Sequence, residues 1–149
     1  MNYFTFIRTL PEKVLPQLPA RFDSIKVYQP FRWVIQFHFG EPRLHYEVGR
    51  VPRQKDFEIG FHFEAKDKTL NKYLLLGFRR HLFEIKDGLG KSVEAEMWDR
   101  GWTKIYDRVA EEELSDGFQT AIADRLVEMI VMLHPIFVEL RQDVNRIYR

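Results

Sequence analysis

Hydrophobic and polar residues alternate strictly over residues 57–66, FEIGFHFEAK. Phe57, Ile59, Phe61, Phe63 and Ala65 take every second position, and Glu58, His62, Glu64 and Lys66 fall between them around Gly60. A period of two sends successive side chains to opposite faces of a β-strand. The stretch predicts a strand with one face in an aromatic core and the other carrying carboxylates, an imidazole and an amine. Residues 31–39, FRWVIQFHF, repeat the pattern, with Phe31, Trp33, Ile35, Phe37 and Phe39 set against Arg32, Val34, Gln36 and His38. In RLHYEV, 43–48, Leu44, Tyr46 and Val48 alternate with Arg43, His45 and Glu47. The turn signal GEPR and the polar loop GRVPRQKD separate these runs, which predicts an antiparallel meander of three strands.

Beyond residue 66 the period lengthens. Leu70, Tyr73, Leu74, Phe78, Leu82 and Ile85 recur at steps of three and four, predicting one helix over 69–86 that Gly88 or Gly90 ends. SVEAEMW and TKIYDRV read as two further strands around the turn DRG. Ser115 or Asp116 then caps a long helix whose stripe is Phe118, Ile122, Leu126, Ile130, Leu133, Phe137, Leu140, Val144 and Ile147. Pro135 lies inside it and is expected to kink or split it. Ahead of the meander, YFTFI reads as a short strand, and Pro11, Pro16 and Pro19 exclude a long helix. Thr9 and Glu12 stand at capping-box spacing for one helical turn. Together these elements predict a single α+β domain over residues 1–149. Its antiparallel β-meander sheet has about five or six strands, with helices packed on one face and a long kinked C-terminal helix.

Composition narrows the chemistry. The chain has 149 residues, 45% hydrophobic and 30% charged, which suits a globular domain and excludes disorder. There is no cysteine, so disulfides, thiolate metal sites and cysteine nucleophiles are excluded together. A net charge of +1 supplies no global field toward nucleic acid or anionic lipid, so any such partner needs a local patch. The N-terminus lacks a secretion-signal pattern, and the longest apolar run, MIVML, is far shorter than a membrane span. The expected location is cytoplasmic, with no membrane partner.

The polar face of the meander is the sharpest chemical question. The turn at GEPR pairs Phe39 with Leu44, setting His38 opposite His45 and Gln36 opposite Glu47. Pairing Val48 with Phe57 across the longer loop would set Glu47 opposite Glu58 and Arg43 opposite His62. His38, His45, Glu47, Glu58 and His62 therefore form a candidate ligand or metal face of imidazoles and carboxylates. A solvated face of mixed charge is the simpler reading, so no metal and no cofactor is expected. Arg32 and Arg43 on this face, and Trp98, Arg100 and Trp102 around DRG, form a second candidate set for docking a partner.

Other motifs carry less. EAK at 64–66 has the Glu-x-Lys half of a restriction-nuclease motif, in which a carboxylate binds magnesium beside a lysine. In the register above, Glu47 would lie roughly 20 Å from Glu64, too far to share a metal with it. GLGKS fails as a phosphate loop because Glu84 stands where the first glycine is required. RRH at 79–81 reads as a solvated helix face, and His134 as a half-buried, hydrogen-bonded side chain.

In FEIGFHFE, YLLLGFRRHLFEIKDGLG, VEAEMWDRGWTKIYDRV and the helix from Phe118, residues 31–141 resemble a bacterial domain of unknown function often appended to restriction-nuclease-like domains. The resemblance implies an accessory or recognition module linked to nucleic-acid transactions or defence, and it transfers no active-site residue.

The expected function is thus a non-catalytic binding or interaction domain with a protein or nucleic-acid partner. The alternative is a metal-dependent hydrolase or nuclease-like enzyme using the His/Glu face. Val127, Val131, Met132 and Val138 fall off the stripe of the last helix, which predicts a homodimer formed through it.

Overall fold

The computed structural model describes residues 1–147, with side chains through Asn145. Six strands form one antiparallel sheet: β1 (Lys26–Phe31), β2 (Val34–His38), β3 (Leu44–Val51), β4 (Asp56–Phe63), β5 (Glu94–Asp99) and β6 (Trp102–Ala110). Their spatial order is β1-β2-β3-β4-β6-β5. The helices are α1 (Tyr3–Thr9), α2 (Pro11–Val14), α3 (Lys68–Arg80), α4 (Leu82–Leu89) and α5 (Asp116–Ile147). This is the α+β fold expected from the pattern.

One face of the sheet meets the helices. Tyr46 of β3 stacks on Phe61 of β4, with ring centroids 4.0 Å apart. Phe61 also touches Phe137 of α5 at 4.9 Å, and Phe63 stacks on Phe78 of α3 at 5.5 Å. Phe57 closes the far end against Phe6 of α1 and Phe118 of α5. All these rings are buried, as are Leu126, Ile130, Leu133 and Leu140 along α5. Ser115 caps α5 by accepting a hydrogen bond from the Phe118 amide. The side chain of Ile147, the last residue of the expected stripe, lies outside the described residues.

Several expectations need correction. YFTFI is helical: Asn2 caps it by accepting from the Thr5 amide, and Phe6 and Ile7 turn inward. Thr9 bonds back to the Thr5 carbonyl, so it forms no capping box with Glu12. The run 31–39 is not one strand. It bends at Arg32 and Trp33 between the paired Phe31 and Val34, and a further strand, β1, lies before the bend. The helix over 69–86 breaks at His81, whose φ −102° and ψ 6° are non-helical, while Ile85 and Leu89 beyond the break stay buried. Helix α5 runs unsplit through Pro135. Gly90 and the Arg100–Gly101 turn behave as the sequence suggests: Gly90 ends α4, and φ values of 48° and 82° at Arg100 and Gly101 close the β5–β6 hairpin.

The apolar surround of α5 is met within the chain in part. Gln119 donates to the Phe6 carbonyl and to Thr9, and Lys13 pairs with Asp116 at 2.6 Å, so the N-terminal helices pack on the start of α5. Val127, Val131 and Met132 are half-buried, and Val138 is exposed. No described helix is long and apolar enough to cross a membrane.

The register between β3 and β4 is the correction that matters for chemistry. The strands continue to Val51 and from Asp56, joined by a single tight turn at Pro52–Gln54, with Lys55 at φ 52°. Val48 pairs with Ile59, not Phe57, so every cross-strand pair is displaced by two residues from the expected one. His45 faces His62, and Glu47 faces Gly60. The parity of the faces is unchanged, because a two-residue shift preserves alternation.

Phe61 packs on the rings of Tyr46 in β3, Phe78 in α3 and Phe137 in α5, so Phe61→Ala should destabilise the domain by about 3–5 kcal/mol in chemical denaturation. Gly60→Ala should also destabilise it, by about 1–3 kcal/mol. A Cβ there would lie 2.6 Å from the Tyr106 Cβ and 2.8 Å from the Ile105 carbonyl oxygen, which backbone cannot yield cheaply.

Candidate metal centre

The face of the sheet away from the helices is not a wet surface. His45 and His62 are 2% and 3% exposed, and Glu58 and Lys104 are also buried. Alternation along β3, β4 and β6 sends His45, Glu47, Glu58, His62 and Lys104 to this face, and the ladder sets His62 between His45 and Lys104. Gly60 offers no side chain opposite Glu47, so the Glu47 carboxylate lies across β4 within 3.7 Å of His62 Nε2. Glu64, one residue past β4, returns to the same spot: its carboxylate is 3.1 Å from His62 Nδ1 and 3.9 Å from His45 Nε2. One donor atom from each of His45, Glu47, His62 and Glu64 lies within 4.8 Å of every other.

A second ring of contacts orients this set. His45 Nδ1 stands 2.8 Å from the Pro42 carbonyl, which can only accept, so that nitrogen carries the proton. Nε2 of His45 then faces Glu47 at 3.2 Å. Such a backbone carbonyl behind an imidazole fixes its tautomer and presents the other nitrogen as a ligand. His62 Nε2 bonds Glu58 at 3.0 Å, and Lys104 holds the other oxygen of Glu58 at 2.7 Å. The Lys104 ammonium sits over the rings of Trp98 and Tyr106, 5.1 and 4.3 Å from their centroids. Gln36 donates to Glu47 at 3.1 Å.

Electrostatics follow from this packing. Burial alone would lower the His62 pKa, yet the Glu47 charge and the bonds to Glu58 and Glu64 raise it to about 10. Burial would raise Glu47, but the charge of His62 and the bond from His45 hold it down at about 2. Glu58 is also lowered: the bonds and charges of His62 and Lys104 outweigh its burial. Three carboxylates thus face one ammonium and one imidazolium.

The candidate residues read from the sequence divide here. His45, Glu47, Glu58 and His62 converge. His38 does not join them: its Nδ1 accepts from the Gly40 amide, and its pKa is lowered by burial and by the nearby Lys26 and His45. Glu64 was set aside on distance, and the displaced register overturns that argument by bringing it to Glu47. Lys66 shares no strand face with it, because β4 ends at Phe63 and Lys66 is exposed beyond it. Lys104 was not singled out, although alternation in TKIYDRV places it on this face.

The second candidate set does not form one surface. Arg32 is at the β1–β2 turn, and Arg43 donates to the Glu64 carbonyl at 3.3 Å. Trp98 and Trp102 pack together at 5.4 Å on the opposite edge, where Trp98 also meets His62 edge-on at 5.8 Å. Arg100, at the turn between them, approaches Asp99 at 3.9 Å and is exposed. His134 lies on the helix side, 3.2 Å from the Tyr46 hydroxyl, and burial lowers its pKa to about 4. It is the half-buried, hydrogen-bonded histidine expected from the sequence and not part of this centre.

No family model matches the chain, and neither a curated protein nor a solved structure does.

Two outcomes follow for metal-free protein. Glu58→Ala leaves Lys104 buried without its carboxylate, so it should cost about 3–5 kcal/mol in urea unfolding, against the small loss expected of a surface glutamate. Stability should also fall on the alkaline side. The raised His62 pKa means its contribution is complete below 6.5 and is lost as pH climbs through about 10. The depressed Glu47 pKa means its contribution is complete above 4.5 and is lost as pH falls through about 2. Thermal melts across pH should therefore show a plateau between those limits, and His62→Gln should flatten the alkaline arm.

Proposed function

We propose that this domain is a metal-binding module that holds one divalent first-row transition ion, with zinc the best fit, on His45, Glu47, His62 and Glu64. The observation that carries the reading is the convergence of two buried imidazoles and two half-buried carboxylates, with outer contacts to the imidazoles already in place. A tetrahedral zinc shell with donors at about 2.0–2.1 Å has neighbouring donors about 3.3 Å apart. One atom from each of the four lies within 4.8 Å of every other, and two contacts, Glu64 to His62 Nδ1 at 3.1 Å and Glu47 to His45 Nε2 at 3.2 Å, are already near that spacing. Imidazole favours zinc and its neighbours over calcium or magnesium, whose shells are oxygen-rich.

Charge favours the same reading. A divalent ion that displaces the His62 proton neutralises the group, since three carboxylates then face Lys104 and two metal charges. Glu58 behind His62 and the Pro42 carbonyl behind His45 act as the outer partners that ligating histidines require. Four protein donors make a closed shell, the pattern of sites that organise structure, whereas catalytic sites keep a position for water or substrate. The reading therefore joins metal binding to a non-catalytic binding domain, and it gives the ion the role of locking the β3–β4–β6 face.

Zinc in hundredfold excess over its dissociation constant should raise the melting temperature by about 5–10 °C. His45→Ala and Glu64→Gln should abolish the rise while retaining the fold by circular dichroism, and His38→Ala should keep it. Because binding expels a proton whose pKa is about 10, affinity should climb about tenfold per pH unit above neutrality. An unchanged melting temperature in wild-type protein with zinc, cobalt and manganese alike would overturn the reading.

A further inference from the structure

We propose that the tip of the β1–β2 hairpin and the groove beside it bind single-stranded nucleic acid. Phe31 and Trp33 flank the hairpin turn, stacked nearly parallel with centroids 5.5 Å apart and planes 10° apart. They are 58% and 49% exposed, although their size would normally draw them into a core. Beside them a groove of about 380 Å³ is lined by Tyr3, Phe4, Arg32, Trp33 and Arg50 among others. Phe4, itself 37% exposed, carries the Arg32 guanidinium 4.9 Å from its centroid and that of Arg8 at 5.5 Å.

The charges select the occupant. No carboxylate lines the groove. Glu111 lies nearby and is taken by Arg50 at 3.5 Å and by the Tyr3 hydroxyl, and Arg50 in turn covers the Tyr3 ring at 3.8 Å. Those three groups form a neutralised wall. Among the described residues, Arg8 and Arg32 have no carboxylate partner, so two guanidinium groups stand beside exposed rings with their donors unused. An anionic chain bearing flat aromatic groups matches that arrangement: bases stack on Phe31, Trp33 and Phe4 while phosphates meet Arg8 and Arg32. Pairing with a strand of another protein molecule fits less well. Although β1 is an edge strand, Pro30 and the register shift between Tyr28 and Phe31 interrupt the ladder it would offer.

The surface lies at the β1–β2 end of the sheet and uses no residue of the metal centre, so the two proposals fail separately. The test is fluorescence anisotropy with labelled oligo(dT) and oligo(U) of about 15 nucleotides, titrated with full-length protein at several salt concentrations. Saturable binding that weakens with salt is expected. Arg8→Gln and Arg32→Gln should each reduce the slope of log affinity against log salt by about 0.7. Trp33→Ala should weaken binding about tenfold with little loss of melting temperature, because the ring is half exposed. Lys72→Gln, an equal charge loss on α3, should change neither quantity. No saturable binding up to roughly 0.1 mM protein, or equal effects of Lys72→Gln and Arg32→Gln, would overturn the proposal. So would a wild-type dimer in sedimentation that Trp33→Ala converts to monomer, because the patch would then belong to a second copy of the chain.

Discussion

The pairing of His45 with His62 across β3 and β4 is the constraint on which the polar face depends. It is set from the other side of the sheet. Leu44 against Phe63, Tyr46 against Phe61 and Val48 against Ile59 pack the helix-facing side, and the tight turn after Val51 leaves no slack. A slip of β4 by one residue would send Phe57, Phe61 and Phe63 to the outer face and Glu58 and His62 inward. A slip of two would keep the core side apolar but part the two imidazoles and leave Glu47 opposite Glu58. The aromatic core thus positions groups that it never touches.

Burial on both faces is the second physical theme. The helix face is largely apolar and aromatic, and at its rim Arg125 of α5 reaches Asp107 of β6 at 2.8 Å. The outer face buries Glu58, two imidazoles and an ammonium and half-buries Glu47 and Glu64, and desolvating such groups costs several kcal/mol each when burial is complete. Their mutual bonds offset that cost, and an apolar replacement of the same volume would do as well or better for stability alone. Stability alone therefore gives no sufficient reason for this composition; the proposed coordination of a cation would supply one. Lys104 and Trp98 complete the enclosure, the first neutralising Glu58 and the second covering His62.

Much of the fold was legible in alternation. The strand phase of β3 and β4, the existence of β5 and β6, the aromatic core and the stripe of α5 from Phe118 to Val144 all follow from apolar spacing. What was lost was lost for identifiable reasons. YFTFI alternates over only a few residues, so a helical turn capped by Asn2 competes with a strand, and packing of Phe6 and Ile7 decides for the helix. The bend at Arg32 and Trp33 is hidden because both flanks keep a period of two. At the site, parity was legible and register was not: His45, Glu47, Glu58 and His62 were placed on one face, but loop length was misjudged. That error set Glu47 opposite Glu58, six positions from Glu64, where the true partner Gly60 is four positions away and the two side chains reach one another.

The most direct measurement is anomalous diffraction at the zinc absorption edge from crystals grown with zinc. The account predicts one strong peak on the outer face of the sheet, about 2.0–2.1 Å from His45 Nε2, from a ring nitrogen of His62 and from carboxylate oxygens of Glu47 and Glu64. A map without a peak there, in which His62 still bridges Glu58 and Glu64 as a cation, would contradict it.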